Sequence, residues 1–303
     1  MQGIAYAQTT WTVVDLSSGL TYSTIQAAID DANTTNGDMI LVGSGIYREN
    51  VVVNKPLILI GQNTSNGLPV IDGNRGIGIN ITANGTTVYG FGLMDSEYGI
   101  YVTSDTNNVI QNIAYNNIRY GVYLNNSSYN TLRGNIVNGN GIAGIALYNS
   151  SNNNLIGNTA NNNTNEGIIL FNSSYNNLTW NTANNNDIWV YGMGIWLYRS
   201  HGNTLWLNTF QGNGRSAVCD CSLNGWNSAS PMDYIYNGQT YTNYTGNYWD
   251  DYDGASVNGI GTTMHTVNNN NIDHYPMIMP NDLPQSTLNF KRGWNLISSP
   301  FFN

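Results

Sequence analysis

Charge is scarce in this chain. Only 9% of its 303 residues are charged, nine Lys plus Arg stand against eighteen Asp plus Glu, and the formal net charge is −9. A nucleic-acid partner needs a basic stripe to displace phosphate counterions, so that class of function is excluded. Long apolar runs are missing too. None reaches the roughly 18 residues of a membrane-spanning helix, so no membrane span is expected. Cysteine is limited to Cys219 and Cys221. Helical periodicity is absent from the whole middle of the chain. What is abundant is asparagine, with 53 residues.

The asparagines keep a beat. Between Tyr98 and Cys221 a Gly-Ile-x-Leu phrase recurs, beginning at Gly99, Gly121, Gly144, Gly167 and Gly194, and Ser216 follows in the same place. Three Asn columns share the period. They begin at Asn107, Asn112 and Asn117, recur every 23 residues, and take one step of 27 to Asn203, Asn208 and Asn213. A fixed period of this length marks a solenoid. Strand alternation sends Ile and Leu of each phrase inward and the middle residue outward. A second inward position recurs at Val109, Leu132, Leu155, Leu178 and Leu205. One such unit cannot bury its apolar side alone, so coils stack like on like. With parallel strands about 4.8 Å apart, roughly eight or nine coils give a rod about 40 Å tall. A stacked Asn donates to one neighbouring coil and accepts from the other, and Asn tolerates the left-handed bends of sharp turns. The fold expected is all-β: a right-handed parallel β-helix of about 22–23 residues per coil, with a short N-terminal capping helix.

That helix is read from Ser23-Thr24-Ile25-Gln26, a capping box with Ser23 at the N-cap. It precedes an apolar face at Ile25, Ala28, Ile29 and Ala32. A strand over Thr10–Leu16 comes before it, and the runs Met39–Val42, Val51–Val53 and Leu57–Ile60 read as buried parallel strands. Residues 1–9 are expected to be an arm or a signal-peptide remnant, since Ala5-Tyr6-Ala7 fits a cleavage pattern. Residues 10–279 form the β-helix. Residues 280–303 are a linker and either the start of a following β-domain or a donated strand.

Two stretches resemble known proteins. Thr24–Ile29, Gly37–Val42, Gly45-Ile46-Tyr47 and Glu49-Asn50-Val51 are similar to the start of pectin-lyase-like β-helix proteins. Gly246-Asn247-Tyr248-Trp249-Asp250-Asp251-Tyr252-Asp253-Gly254, followed by Gly259-Ile260-Gly261 and Asp273-His274-Tyr275-Pro276-Met277, resembles the closing segment of the NosD-type β-helix family. That resemblance covers roughly residues 20–279. It implies the fold, a periplasmic accessory role in copper-enzyme maturation, or membership among archaeal cell-surface proteins carrying the same ending. The family's Asp-rich closing loop is replaced here by Ala255–Thr263, so most carboxylates of a calcium site are missing.

Candidate site residues fall into five groups. Asp250, Asp251 and Asp253 form an oxygen-rich cluster suited to Ca²⁺, or else solvate the end of the solenoid. Cys219 and Cys221, two apart on a strand, face one side. They suit a soft metal, a disulfide, or core slots in register with Leu197. His201, His265 and His274 are scattered and read as surface residues, so copper cannot be assigned to named ligands. The outward Tyr101, Tyr123 and Trp196, with Trp180, Trp189 and Trp206, offer an aromatic face for carbohydrate or a cover for the sheet. The acids Asp95, Glu97, Asp105, Glu166, Asp187 and Asp220 do not align at the coil period, so no catalytic pair is named.

Eleven N-x-Ser/Thr sequons, Asn33, Asn63, Asn84, Asn125, Asn149, Asn172 and Asn243 among them, suit an extracellular glycoprotein. The function expected is a non-enzymatic, exported structural β-helix of a cell surface, envelope layer, sheath or fibre. It would associate with itself or with other surface proteins and needs no cofactor. The alternatives are polysaccharide binding or cleavage, and the copper-maturation role.

Overall fold

A computed structural model describes residues 12–186 and 192–278, so the expectations for residues 1–9 and 280–303, and for Asp187 and Trp189, lie outside the described residues. From Met39 the chain winds into a parallel β-helix with three walls. One is a ten-stranded sheet and one an eight-stranded sheet. The third is a four-stranded and a three-stranded sheet joined through single bridges along Ile113, Ile136, Thr159 and Thr182. Crossovers between parallel strands are right-handed, and the coil follows suit.

The register is the sequence period made physical. Val102, Leu124, Leu147, Leu170, Leu197 and Cys219 stand directly over one another, as do Ile100, Val122, Ile145, Ile168 and Ile195. These side chains are all but inaccessible and make one continuous core with Val109, Leu132 and Leu155 from the opposite wall. The glycine of each phrase has a steric reason. A Cβ on Gly144 would lie 2.7 Å from the Val137 carbonyl oxygen and 2.9 Å from Asn163 Nδ2. Glycine lets the amide of the third Asn column lie against the strand.

The three Asn columns are amide ladders. Asn158 is typical: its Oδ1 accepts from Asn135 N at 3.0 Å and Asn135 Nδ2 at 2.9 Å. Its Nδ2 donates to Leu132 O in the coil before and to Asn181 Oδ1 in the coil after, both at 2.9 Å. The left-handed residue of each bend is not the ladder Asn but its predecessor: Gln111, Trp180 and Leu207 before the second ladder, and Asn116, Asn162 and Asn185 before the third, all with φ between 52° and 56°. The ladder Asn thus keeps ordinary geometry and turns its amide inward.

Both ends are closed by side chains. The helix α1 (Ile25–Asp30) is capped by Thr24, whose Oγ1 accepts from Ala27 N at 3.1 Å. The N-cap is therefore Thr24 rather than the expected Ser23, and no capping box forms, because N3 is Ala27 and the N–H and side chain of Gln26 are engaged elsewhere. The Glu49 carboxylate accepts from Ile25 N and Gln26 N. The Gln26 amide pairs with both peptide groups of Val52, covering the open edge of the eight-stranded sheet. That blunts an edge that would otherwise pair with another strand. At the other end of α1, Lys55 Nζ donates to the carbonyls of Ile29, Asp31 and Thr34 at 2.8, 3.0 and 2.8 Å. The expected strand over Thr10–Leu16 is found as Val13–Asp15, antiparallel to Met39–Val42.

Candidate functional site

The ladders run direction-wise. Each rung accepts through Oδ1 from the rung before it, so the last rung needs acceptors and no donor. The second ladder obeys this rule: Asn208 donates to Asn247, and Asn247 N donates to Asp273 Oδ2 at 2.7 Å. Asp273 is buried. It also accepts from Trp249 Nε1 at 2.9 Å and Tyr275 N at 3.0 Å. Burial pushes its carboxyl up to about 6 against the pull of those donors. Gly246 lies where any Cβ would strike this carboxylate. The Gly-Asn-x-Trp of the closing phrase and the later Asp273 are thus one lock. The first ladder continues through Asn203 and Asn224 to Asn271, which also accepts from Trp226 Nε1.

The three closing acids are drawn apart rather than gathered. Asp250 accepts from Gly212 N and, at 3.0 Å, from Ser216 Oγ, fastening the last bend. Asp251 Oδ1 stands 3.9 Å from His265 Nε2, and Asp253 is exposed. His265 is stacked on Trp249 at 4.4 Å. Burial lowers its pKa against the raising effect of Asp251. Among the described residues no group of three or more His, Cys, Asp or Glu is placed to hold a metal ion.

Cys219 is buried in register with Leu197 and joined to Cys221 by a disulfide, with Cα atoms 5.1 Å apart. His201 lies against Ser174 and Tyr175, and His274 is on the surface beside Tyr275. Among the described residues these sulfurs and imidazoles are not gathered at one site.

The outer face of the eight-stranded sheet carries rings, and they are spent largely on one another. Tyr101 and Tyr123 stack at 5.1 Å, Tyr98 and Tyr120 at 5.8 Å, and Tyr148, Phe171 and Tyr198 continue at 5.0 and 4.8 Å. Trp196 closes this row on Tyr198 at 5.8 Å. Arg119 lies over Tyr98 and Tyr120 and is paired with Glu97 at 3.4 Å. Burial, then neighbouring Tyr101, pushes the Tyr123 phenol up to about 12. The middle positions Ala146 and Ile169 are fully covered. Trp180 and Trp206, expected on this face, instead pair at 5.5 Å in a separate cluster with Leu207 and Tyr234.

The scattered acids stay scattered. Asp105 accepts from Ser128 N at 2.7 Å, Glu166 stands in register with Ala143 and Met193, and Asp220 with Tyr198. Asp95 holds a left-handed bend with φ 51°. Of the sequons, Asn33, Asn63, Asn84, Asn149 and Asn172 are exposed. Asn125 and Asn243 are half-buried, and Asn125 Nδ2 donates to Tyr101 Oη at 3.0 Å.

The chain is similar to several known proteins. A segment of 119 residues is 40% identical to a cell surface glycoprotein of Methanothermus fervidus; it is 37% of this chain and 19% of that one, so the match spans about a fifth of the relative's length. Among solved structures, pectate lyase Pel9A is 19% identical with a TM-score of 0.48, over 74% of this chain and 68% of that chain. An alginate lyase from Paenibacillus sp. is 13% identical with a TM-score of 0.48, over 66% of this chain and 91% of that chain. No helix among the described residues is long and apolar enough to cross a membrane. The model of the family described as periplasmic copper-binding protein (NosD) matches residues 29–254, and the chain belongs to that family.

Proposed function

We propose that the chain is an exported, non-enzymatic structural module of a cell surface. The observation that carries this reading is the set of three amide ladders, followed through consecutive coils and ended at Asp273 and Asn271. Such ladders tie each coil from Asn107 to Asn213 to the next at three bends through largely buried, hydrogen-bonded amides. The result suits a stiff spacer with a polar, weakly charged wall. The likeness to an archaeal cell surface glycoprotein supports an outside location. The copper-maturation reading finds less support, since no three His, Cys, Asp or Glu side chains stand together among the described residues. The test is brief protease treatment of intact source cells, followed by mass spectrometry of the released peptides. The reading expects peptides of the solenoid's exposed turns among the released material. Recovery only after lysis refutes it, as does ultraviolet-detected cleavage of alginate or polygalacturonate by the purified chain.

A further inference from the structure

One bend of the solenoid carries a ridge that stability does not explain. Just before the first ladder each coil places one residue in the left-handed region: Thr106, Tyr129, Asn152, Tyr175 and Gly202, with φ between 59° and 64°. The column is straight, because Tyr129 N, Asn152 N and Tyr175 N each donate to a carbonyl of the next coil at 3.0–3.3 Å. Asn and Gly suit this conformation, whereas a bulky side chain is strained in it. Yet two tyrosines stand there, Tyr129 63% and Tyr175 61% exposed, so burial does not offset the strain.

Tyr175 is held as a platform. A Cβ at Gly202 would lie 2.6 Å from Tyr175 Cε1 and 2.7 Å from Cδ1, so the ring rests on the bare backbone of the next coil. His201 meets the ring edge-on, with centroids 5.6 Å apart, and is itself fixed by Ser174 Oγ. The opposite ring face is left to solvent. Tyr129 stands two coils away, about 10 Å along the axis at the parallel-strand spacing. Asn152 lies between them, and the exposed Asn126, Asn149 and Asn172 line one flank.

An extended pyranose chain with equatorial linkages turns each sugar over relative to the last. The same sugar face therefore recurs at every second residue, close to two coil spacings. Aromatic faces take up the C–H face of such sugars, and amides bond their hydroxyls. We propose that the ridge from Tyr129 to Tyr175 binds an extended, equatorially linked, uncharged polysaccharide along the rod, with one pyranose on each tyrosine and the intervening one over Asn152. The ligand is uncharged because neither the ridge from Tyr129 to Tyr175 nor its flank of Asn126, Asn149 and Asn172 carries a charge. The flank's next residue, Arg199, lies one coil beyond over Tyr198, and a chain of net charge −9 repels polyuronates. The inference goes beyond the structural reading and does not depend on it.

The test is co-sedimentation of the purified chain with microcrystalline cellulose and β-chitin, with gel-immobilised alginate as the anionic comparison. Tyr129→Asn and Tyr175→Asn retain the fold, because Asn occupies the same conformation at 152; circular dichroism melting checks this. Retention on at least one neutral polymer is expected. Each single variant weakens it about tenfold, and the double variant abolishes it. The proposal is overturned by retention that the double variant leaves unchanged, by retention on alginate alone, or by no retention at all. It is also overturned if the double variant changes only the sedimentation of the protein by itself, which would make the ridge a contact between copies.

Discussion

A single exchange of atoms inside a ladder separates this account from one in which asparagine is merely a favoured turn residue. Asn158 makes four hydrogen bonds in a fully buried site, two through Oδ1 and two through Nδ2. Asn158→Ala leaves the Asn135 backbone N–H and one Nδ2 hydrogen without acceptors. Each buried unpaired group costs about 1–3 kcal/mol, so a loss of about 2–5 kcal/mol is expected. For a chain of this size that lowers Tm by about 3–8 °C. Asn158→Asp should be worse despite equal volume, because an acceptor then faces Leu132 O and Asn181 Oδ1, and a buried charge gains no partner. Thermal melting by circular dichroism at pH 7 reads both. If the Asn158→Asp variant melts within a degree of the parent, the directional ladder is refuted, since the same carboxylate is native at position 273 only because nothing there requires a donor.

Other consequences follow from the same contacts. Asp273, with its pKa raised from an ordinary 3.8 to about 6, favours protonation in the folded state. Its contribution to stability is therefore greatest below about pH 4 and is lost as pH rises through 6, by up to about 3 kcal/mol; urea titrations from pH 4 to 7 should show this slope, and Asp273→Asn should flatten it. Gly144→Ala places a methyl against Val137 O and Asn163 Nδ2 and should cost about 1–3 kcal/mol by urea unfolding. Lys55→Met frees three carbonyls at the end of α1. Limited proteolysis should then cut within 23–37 at least tenfold faster than in the parent, with the coils after residue 98 still resistant.

The regular coils were legible because stacking imposes one rule at every turn. The Gly-Ile-x-Leu phrase and the Asn columns follow from core register and amide pairing, and both appear where their spacing places them. What escaped sequence reasoning lies where the spacing breaks. Asp273 follows its ladder partner Asn247 by 26 residues, but Asn247 follows Asn208 by 39, through a hairpin over Met232–Asn243 that no period announces. The acids Asp250, Asp251 and Asp253 look like a cluster in sequence, yet the turn directs Asp250 back to Gly212 and Ser216. Glu49 was visible only as part of a motif and the role of Lys55 not at all, because their partners are backbone atoms in and just after α1. The ridge tyrosines were hidden for a related reason: side-chain type does not reveal that the residue before a ladder Asn is left-handed.

Native-state hydrogen exchange read by NMR tests the central claim most directly, since in each ladder the backbone N–H of one Asn is bonded to the side chain of the next. The account predicts that the N–H groups of Asn112, Asn135, Asn158 and Asn181 exchange together, at the slow rate of global unfolding. Exchange coil by coil, with independent and much faster openings at these four positions, would contradict it.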